Sequence, residues 1–288
     1  MSGTVLVEQQ TAAAGSAIRA PRHATPKIVA RKVSKLYPKP GSRKDVTAVL
    51  DGFDLTINDG EFLSLLGPSG CGKSTFLNIL AGLDSYNGGS VHLDGQQVTG
   101  VNKNVGVVFQ GYALFPWLTA QKNVEVGLKI RGVGRAERRE RAAEVLKTVG
   151  LSAAADRLPH QLSGGMRQRA AIARVLAYDP EVLVFDEPFA ALDAQTREFL
   201  QGELLRIWES GENKKTILFV THSIDEAIFL SDRIAVMTKS PGAVKTVLDV
   251  DLDRPRTQTL RSSEDFAHIR ARVAGILAEE VNVGNDAA

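Results

Sequence analysis

The sequence predicts an α/β fold, and three observations carry that reading. Apolar runs at 182–186 and 217–220 end in acidic or polar residues, Asp186-Glu187 and Thr221-His222. Continuous apolar runs of this length suit parallel strands covered on both faces. A Gly-rich turn stands between the apolar run 61–66 and a stretch with helical periodicity. Beyond it, helix-like and strand-like segments alternate toward the C-terminus, the pattern of a layered α/β domain.

Taken in order, residues 1–26 are rich in Ala, Ser, Thr and Gly and show no periodicity; they read as a disordered tail. Strand character begins at Ile28. Residues 53–57 alternate like a half-buried strand, Asn58-Asp59-Gly60 signals a turn, and 61–66 is a second strand,. In the next helix Phe76, Ile79 and Leu80 share a face, and Gly82 is placed to end it,. Residues 91–95 read as a strand entering a tight turn, and about 111–178 as mostly helical. Strands follow at 182–186, 217–220 and 233–237. Phe266, Ile269, Val273, Ile276 and Leu277 then form one helical stripe. The expected plan is a tail at 1–26, one α/β domain at 27–250 with its helical part at about 111–178, and a helical extension at 251–288.

Bulk composition bounds the class. With 288 residues, 43% hydrophobic and 24% charged, the chain has the makeup of an ordinary globular protein,. A net charge of +2 favours no nucleic-acid partner. One cysteine excludes an internal disulfide framework and fits a reducing compartment,. No apolar run approaches the roughly 20 residues a membrane-spanning helix needs. Val5-Leu6-Val7 is too short for the core of a secretory signal,. A role at a membrane therefore calls for another, spanning subunit.

Three motifs carry chemistry. Gly67-Pro68-Ser69-Gly70-Cys71-Gly72-Lys73-Ser74 fits G-x-x-x-x-G-K-[ST], with Thr75 following. Glycines let backbone N–H groups turn inward onto a phosphate chain, and the next helix aims its positive end at the anion. Lys73 would reach the outer phosphates and Ser74 would give its hydroxyl oxygen to Mg²⁺. The apolar strand ending in Asp186-Glu187 places two carboxylates at the carboxyl edge of a parallel sheet, where such folds bind ligands. Asp186 suits Mg²⁺, and Glu187 suits a base that activates water; the bland alternative is two surface acids. In Leu162-Ser163-Gly164-Gly165, Ser163 is a natural N-cap, and the two glycines expose backbone N–H groups at a helix start,. Glycines there weaken a plain helix, which argues for another purpose.

In this order, with Gln110, Leu192-Asp193 and His222, these motifs resemble the ATP-binding cassette (ABC) family from about Ile28 to about Lys245. The resemblance implies a P-loop NTPase fold of the ABC ATPase type: a mixed sheet core, an antiparallel β subdomain and a helical insert. It implies that Tyr37 stacks on adenine and that Lys73, Ser74 and Thr75 bind phosphates and Mg²⁺. Gln110 would touch Mg²⁺ and the attacking water. Ser163 and Gly165, flanking Gly164, would clamp the γ-phosphate of a second copy. Glu187 would be the general base, Asp193 would order the dimer contact, and His222 would hold the γ-phosphate and water. Two departures remove no needed group: Ala190 precedes Ala191-Leu192, and Met166-Arg167-Gln168 follows Gly165.

The family further implies a homodimer with two ATP at its interface, bound to membrane-spanning permease subunits. An extracytoplasmic solute-binding protein completes the assembly at the cytoplasmic face of the inner membrane. The stretch Leu114-Phe115-Pro116-Trp117-Leu118, together with Pro188-Phe189-Ala190-Ala191-Leu192-Asp193, looks most like the ATPase subunits of the nitrate, sulfonate and taurine importers. Phe115 and Trp117 either line a groove for the membrane subunit or pack inside the insert. The rival readings are an ATPase for another solute or for export, then a non-transport ABC ATPase. No long heptad stretch separates Lys73 from Leu162, which argues against a DNA-repair type,.

Overall fold

The computed structural model describes residues 25–39, 41, 45–210 and 214–283. The tail expected at 1–26 lies almost wholly outside them; Pro26 already opens the first strand. Two sheets organise the chain. The smaller has the order β2-β1-β4-β5 and is antiparallel, from β1 (Pro26–Pro38), β2 (Val46–Asn58), β4 (Gly88–Leu93) and β5 (Gln96–Gln97). The larger has the order β10-β9-β3-β8-β7-β6. Its strands are β3 (Phe62–Leu66), β6 (Val105–Val108), β7 (Val182–Asp186), β8 (Thr216–Val220), β9 (Arg233–Met237) and β10 (Val244–Asp249). Only the β9–β10 pairing is antiparallel, so the sheet is mixed.

β3, β7 and β8 are buried at every position, as their mainly apolar runs require of strands covered on both faces. One face packs with α1 (Lys73–Leu80) and the small sheet through Phe53, Phe76, Leu63 and Val184. The other carries α5 (Ala194–Ser210), α6 (Ile224–Leu230) and the helical insert, through Phe62, Phe185, Phe219 and Trp208. α7 (Glu264–Val283) lays Phe266 and Val273 into that second cluster, with Ile269, Ile276 and Leu277 packed beside them. The C-terminal stripe thus covers the chain's own core. Among the described residues no helix is long and apolar enough to cross a membrane.

Two expectations need correction, and one strand was not expected. The strand read as 53–57 runs from Val46 to Asn58; its first half is largely exposed and carries no clean alternation, so the pattern hid it. Helix in the insert starts at α2 (Ala120–Ile130), not near 111, and continues as α3 (Arg135–Thr148) and α4 (Gly164–Tyr178). Tyr112 and Ala113 have φ of 63° and 47°, values incompatible with a right-handed helix,. Finally, β6 went unread. It is a four-residue edge strand whose Gly106 lies against Val175 and Pro180, too short to show periodicity.

Candidate functional site

The phosphate loop links β3 to α1 and leaves little freedom. Gly72 caps α1 with φ of 97°, a conformation that disfavours any side chain,. A Cβ there would meet Leu50 Cδ2 at 2.7 Å, and one on Gly67 would meet Cys71 Sγ at 2.8 Å. Cys71 is buried, which pushes its thiol pKa up and keeps it inert,. Lys73 is almost buried, and its ammonium donates to the carbonyls of Gly67 and Pro68 at 2.8 Å each. Ser69 and Gly70 remain exposed at the loop's tip, and Ser74 is exposed at the first turn of α1.

The carboxylates stand beside the loop because only β8 separates β7 from β3 in the sheet. Ser74 Oγ donates to Asp186 Oδ1 at 3.2 Å. Burial pushes the Asp186 carboxyl above its ordinary range; the Ser74 hydrogen bond acts the other way,. A hydroxyl oxygen and a carboxylate this close form the hard-oxygen donor set that Mg²⁺ takes, and a cation would offset the buried charge. Glu187 follows at φ of 46°, its N–H donating to Val220 O at 2.9 Å. The left-handed residue turns the chain out of the strand at this point, and such strain clusters at functional sites. Glu187 Oε2 lies 3.4 Å from Gln110 Nε2 and 3.3 Å from His222 Nδ1. The fold therefore brings Lys73, Ser74, Asp186, Glu187, Gln110 and His222 to the carboxyl edge of one sheet, from four different loops. His222 and Gln110 stay exposed there.

The other predicted residues lie apart from that group. Ser163 Oγ accepts from Met166 N at 3.3 Å and caps α4; Ser163 is exposed, with Gly164 and Gly165 half-exposed beside it. Asp193 Oδ1 accepts from Thr196 N at 2.9 Å, and that bond holds its carboxyl below the usual range. Tyr37 sits on β1, 36% exposed as a residue, its hydroxyl donating to Asp84 and the Lys35 ammonium 4.7 Å from the ring centre. Burial and the Asp84 bond raise the Tyr37 pKa, while the Thr75 side chain beside the hydroxyl opposes them.

The comparisons with known proteins agree with this geometry. The ABC transporter family model matches residues 50–190. An uncharacterized ABC transporter ATP-binding protein of Methanocaldococcus jannaschii is 49% identical, over 88% of this chain and 92% of its own. This chain belongs to the ABC transporter ATP-binding family. The bicarbonate transport ATP-binding protein CmpD of Synechococcus elongatus is 46% identical, over 80% of this chain and 82% of its own. Among solved structures, a dimeric post-hydrolysis state of the ATP-binding cassette MJ0796 bound to ADP and Pi is similar at TM-score 0.70 and 35% identity. It covers 78% of this chain and 100% of that one.

The chain is thus an ABC-type ATPase subunit that binds ATP. Were Mg²⁺ bound, it would supply Lewis-acid chemistry at the phosphates, and the Ser74 hydroxyl and Asp186 carboxylate would be the groups to hold it. Two residues of this cassette had no sequence signal. Arg174 of α4 donates to Ala113 O at 2.6 Å and Tyr112 O at 3.3 Å, fastening the left-handed pair that follows Gln110. Asp84 fixes Tyr37 and Lys35 together. Their partners are some fifty or more positions away in the chain, so no local pattern marks them.

Proposed function

We propose that this cassette hydrolyses ATP with Glu187 as general base, using Mg²⁺ held by Ser74 and Asp186, to power import of a small anionic solute. The convergence of Gln110 and His222 on one Glu187 oxygen, at 3.4 and 3.3 Å, carries the reading. A carboxylate so flanked can take a proton from water while the amide and imidazole orient that water and the γ-phosphate. Lys73 would exchange its two carbonyl partners for phosphate oxygens. Tyr37, exposed beside Thr75, would stack on adenine.

The working unit in this reading is a homodimer. Ser163 to Gly165 offers exposed backbone N–H groups at a helix start and would complete the site of a second copy, with Asp193 at the contact. The dimeric state of the MJ0796 cassette supports this. Membrane-spanning permease subunits would dock beside 114–118, where Trp117 is 72% exposed and lies 5.7 Å from the Phe115 ring. That exposure favours the groove over packing inside the insert. An extracytoplasmic solute-binding protein would deliver the solute, and the cassette would sit peripherally on the cytoplasmic face of the inner membrane. The similarity to a bicarbonate transport ATP-binding protein supports a small anion of the nitrate, sulfonate or taurine kind.

Replacing Glu187 by Gln tests the chemistry. Turnover should fall by a factor of about 10² to 10⁴ while nucleotide binding persists. The variant should dimerise with ATP and Mg²⁺ in size-exclusion chromatography. Near-normal turnover sinks the base; a tight-binding monomer sinks the dimer. Reconstitution with the permease and binding protein, scored by which anions stimulate hydrolysis, tests the solute class.

A further inference from the structure

A second polar network ties the C-terminal segment to the histidine loop. At its centre is Glu226 of α6, only 7% exposed. Burying a carboxylate is unfavourable unless it is paired and hydrogen-bonded, and both its oxygens are engaged. Thr221 Oγ1 donates to Oε2 at 2.6 Å, Gln201 Nε2 donates to Oε1 at 3.3 Å, and Arg197 Nε stands 3.8 Å from Oε1. Thr221 Oγ1 also accepts from Ser223 N at 3.0 Å. The residues on either side of His222 thus hang on one buried carboxylate. Farther out, Arg261 Nη2 donates to Gln201 Oε1 at 2.6 Å. Arg261 belongs to the short 3-10 turn Gln258–Ser262 ahead of α7, and its guanidinium lies 4.5 Å from the centre of the Phe229 ring.

The polarity of this relay is forced. A guanidinium only donates and a carboxylate only accepts. The fully buried Gln201 amide must therefore present its oxygen to Arg261 and its nitrogen to Glu226. Without the guanidinium, the amide oxygen loses its donor and is free to turn toward Glu226, where it would repel the carboxylate that holds Thr221. The same carboxylate reaches the Asp193 segment, because Arg197 Nη2 donates to Leu192 O at 2.9 Å.

We propose that Arg261 is a positioning residue for ATP hydrolysis, acting through Gln201 and Glu226 to hold the Thr221-His222-Ser223 loop against Glu187. The proposal rests on the reading of His222 given above. It gives the segment that follows the ATPase core a part in catalysis.

The test uses the full chain with Arg261→Met, Arg261→Lys and, as a control, His222→Ala. Arg261→Met should lower kcat about tenfold, the scale of a small misplacement of a catalytic group, with KM for ATP unchanged. Hydrogen–deuterium exchange should quicken in the peptide spanning 221–226 and not in β3 or β7. Arg261→Lys should recover most of the rate. Unchanged kcat and unchanged exchange in Arg261→Met overturn the proposal. So does exchange that quickens everywhere, which marks a general loss of stability. If Arg261→Met does not fold, the same readouts on Gln201→Met decide. A His222→Ala variant with full turnover would instead remove the reading of His222, whatever Arg261 does.

Discussion

Two glycine-rich segments face opposite demands. In the loop from Gly67 to Gly72 the chain itself requires the glycines: Gly72 sits at φ of 97°, and a Cβ on either Gly67 or Gly72 would overlap side chains below 3 Å. At Gly164 and Gly165 it does not. A Cβ on Gly164 would meet only the Tyr112 hydroxyl at 3.5 Å, and one on Gly165 the tip of Leu192 at 3.2 Å. Alanine would also suit the first turn of α4 better by about 1 kcal/mol. The first segment is small for folding as well as for phosphate. The second is small at a cost to its own helix, which fits the proposed role in the site of a second copy.

Three substitutions or conditions separate the two. Gly72→Ala should have the largest effect: more than about 1 kcal/mol of stability lost from the left-handed backbone alone, together with nucleotide binding. Urea unfolding and ATP titration would show both. A stable Gly72→Ala that still binds ATP would break the contrast. Gly164→Ala should leave unfolding unchanged or raise stability by up to about 1 kcal/mol. Its hydrolysis should still fall about tenfold or more, the kinetic equivalent of about 1.4 kcal/mol. Full activity in that variant would make Gly164 an ordinary helix residue.

The smallest effect is one of pH, and it sharpens the loop's side of the comparison. The Asp186 carboxyl is raised above 3.8 in the fold by burial. The folded protein without ligand therefore takes up a proton there more readily than the unfolded chain does. Its contribution to stability is full below the ordinary range and fades as pH rises through the raised value. If Asp186 holds Mg²⁺ as proposed, the ion needs the ionised form, so Mg²⁺-dependent nucleotide affinity should weaken on acidification before the ordinary carboxylate range is reached,. Asp186→Asn should flatten that dependence in a calorimetric titration.

What the sequence disclosed follows the range of the physics. β7, β8 and the phosphate loop are visible because a fully buried strand and a phosphate turn each write an uninterrupted local pattern. The first half of β2 and the whole of β6 were hidden because exposed or four-residue strands write none. Six of the residues named from motif order meet at one sheet edge while Ser163, Asp193 and Tyr37 lie apart, and what fixes any of them does not show in the motifs. Arg174 reaches residues 61 and 62 positions away, and Asp84 reaches Tyr37 across 47. Such pairings depend on the sheet order, and strand order is not written in any one segment.

The two carbonyl bonds made by the Lys73 ammonium bear on how fast the site can load. The loop stands formed around its own cation, so on the proposed role of Lys73 arrival of a triphosphate would be a swap of acceptors rather than an ordering of chain. The entropy of shaping the cradle is met during folding. Capture should then be governed by diffusion and by the charge of the incoming nucleotide, and its rate should depend on ionic strength more than on solvent viscosity within the loop.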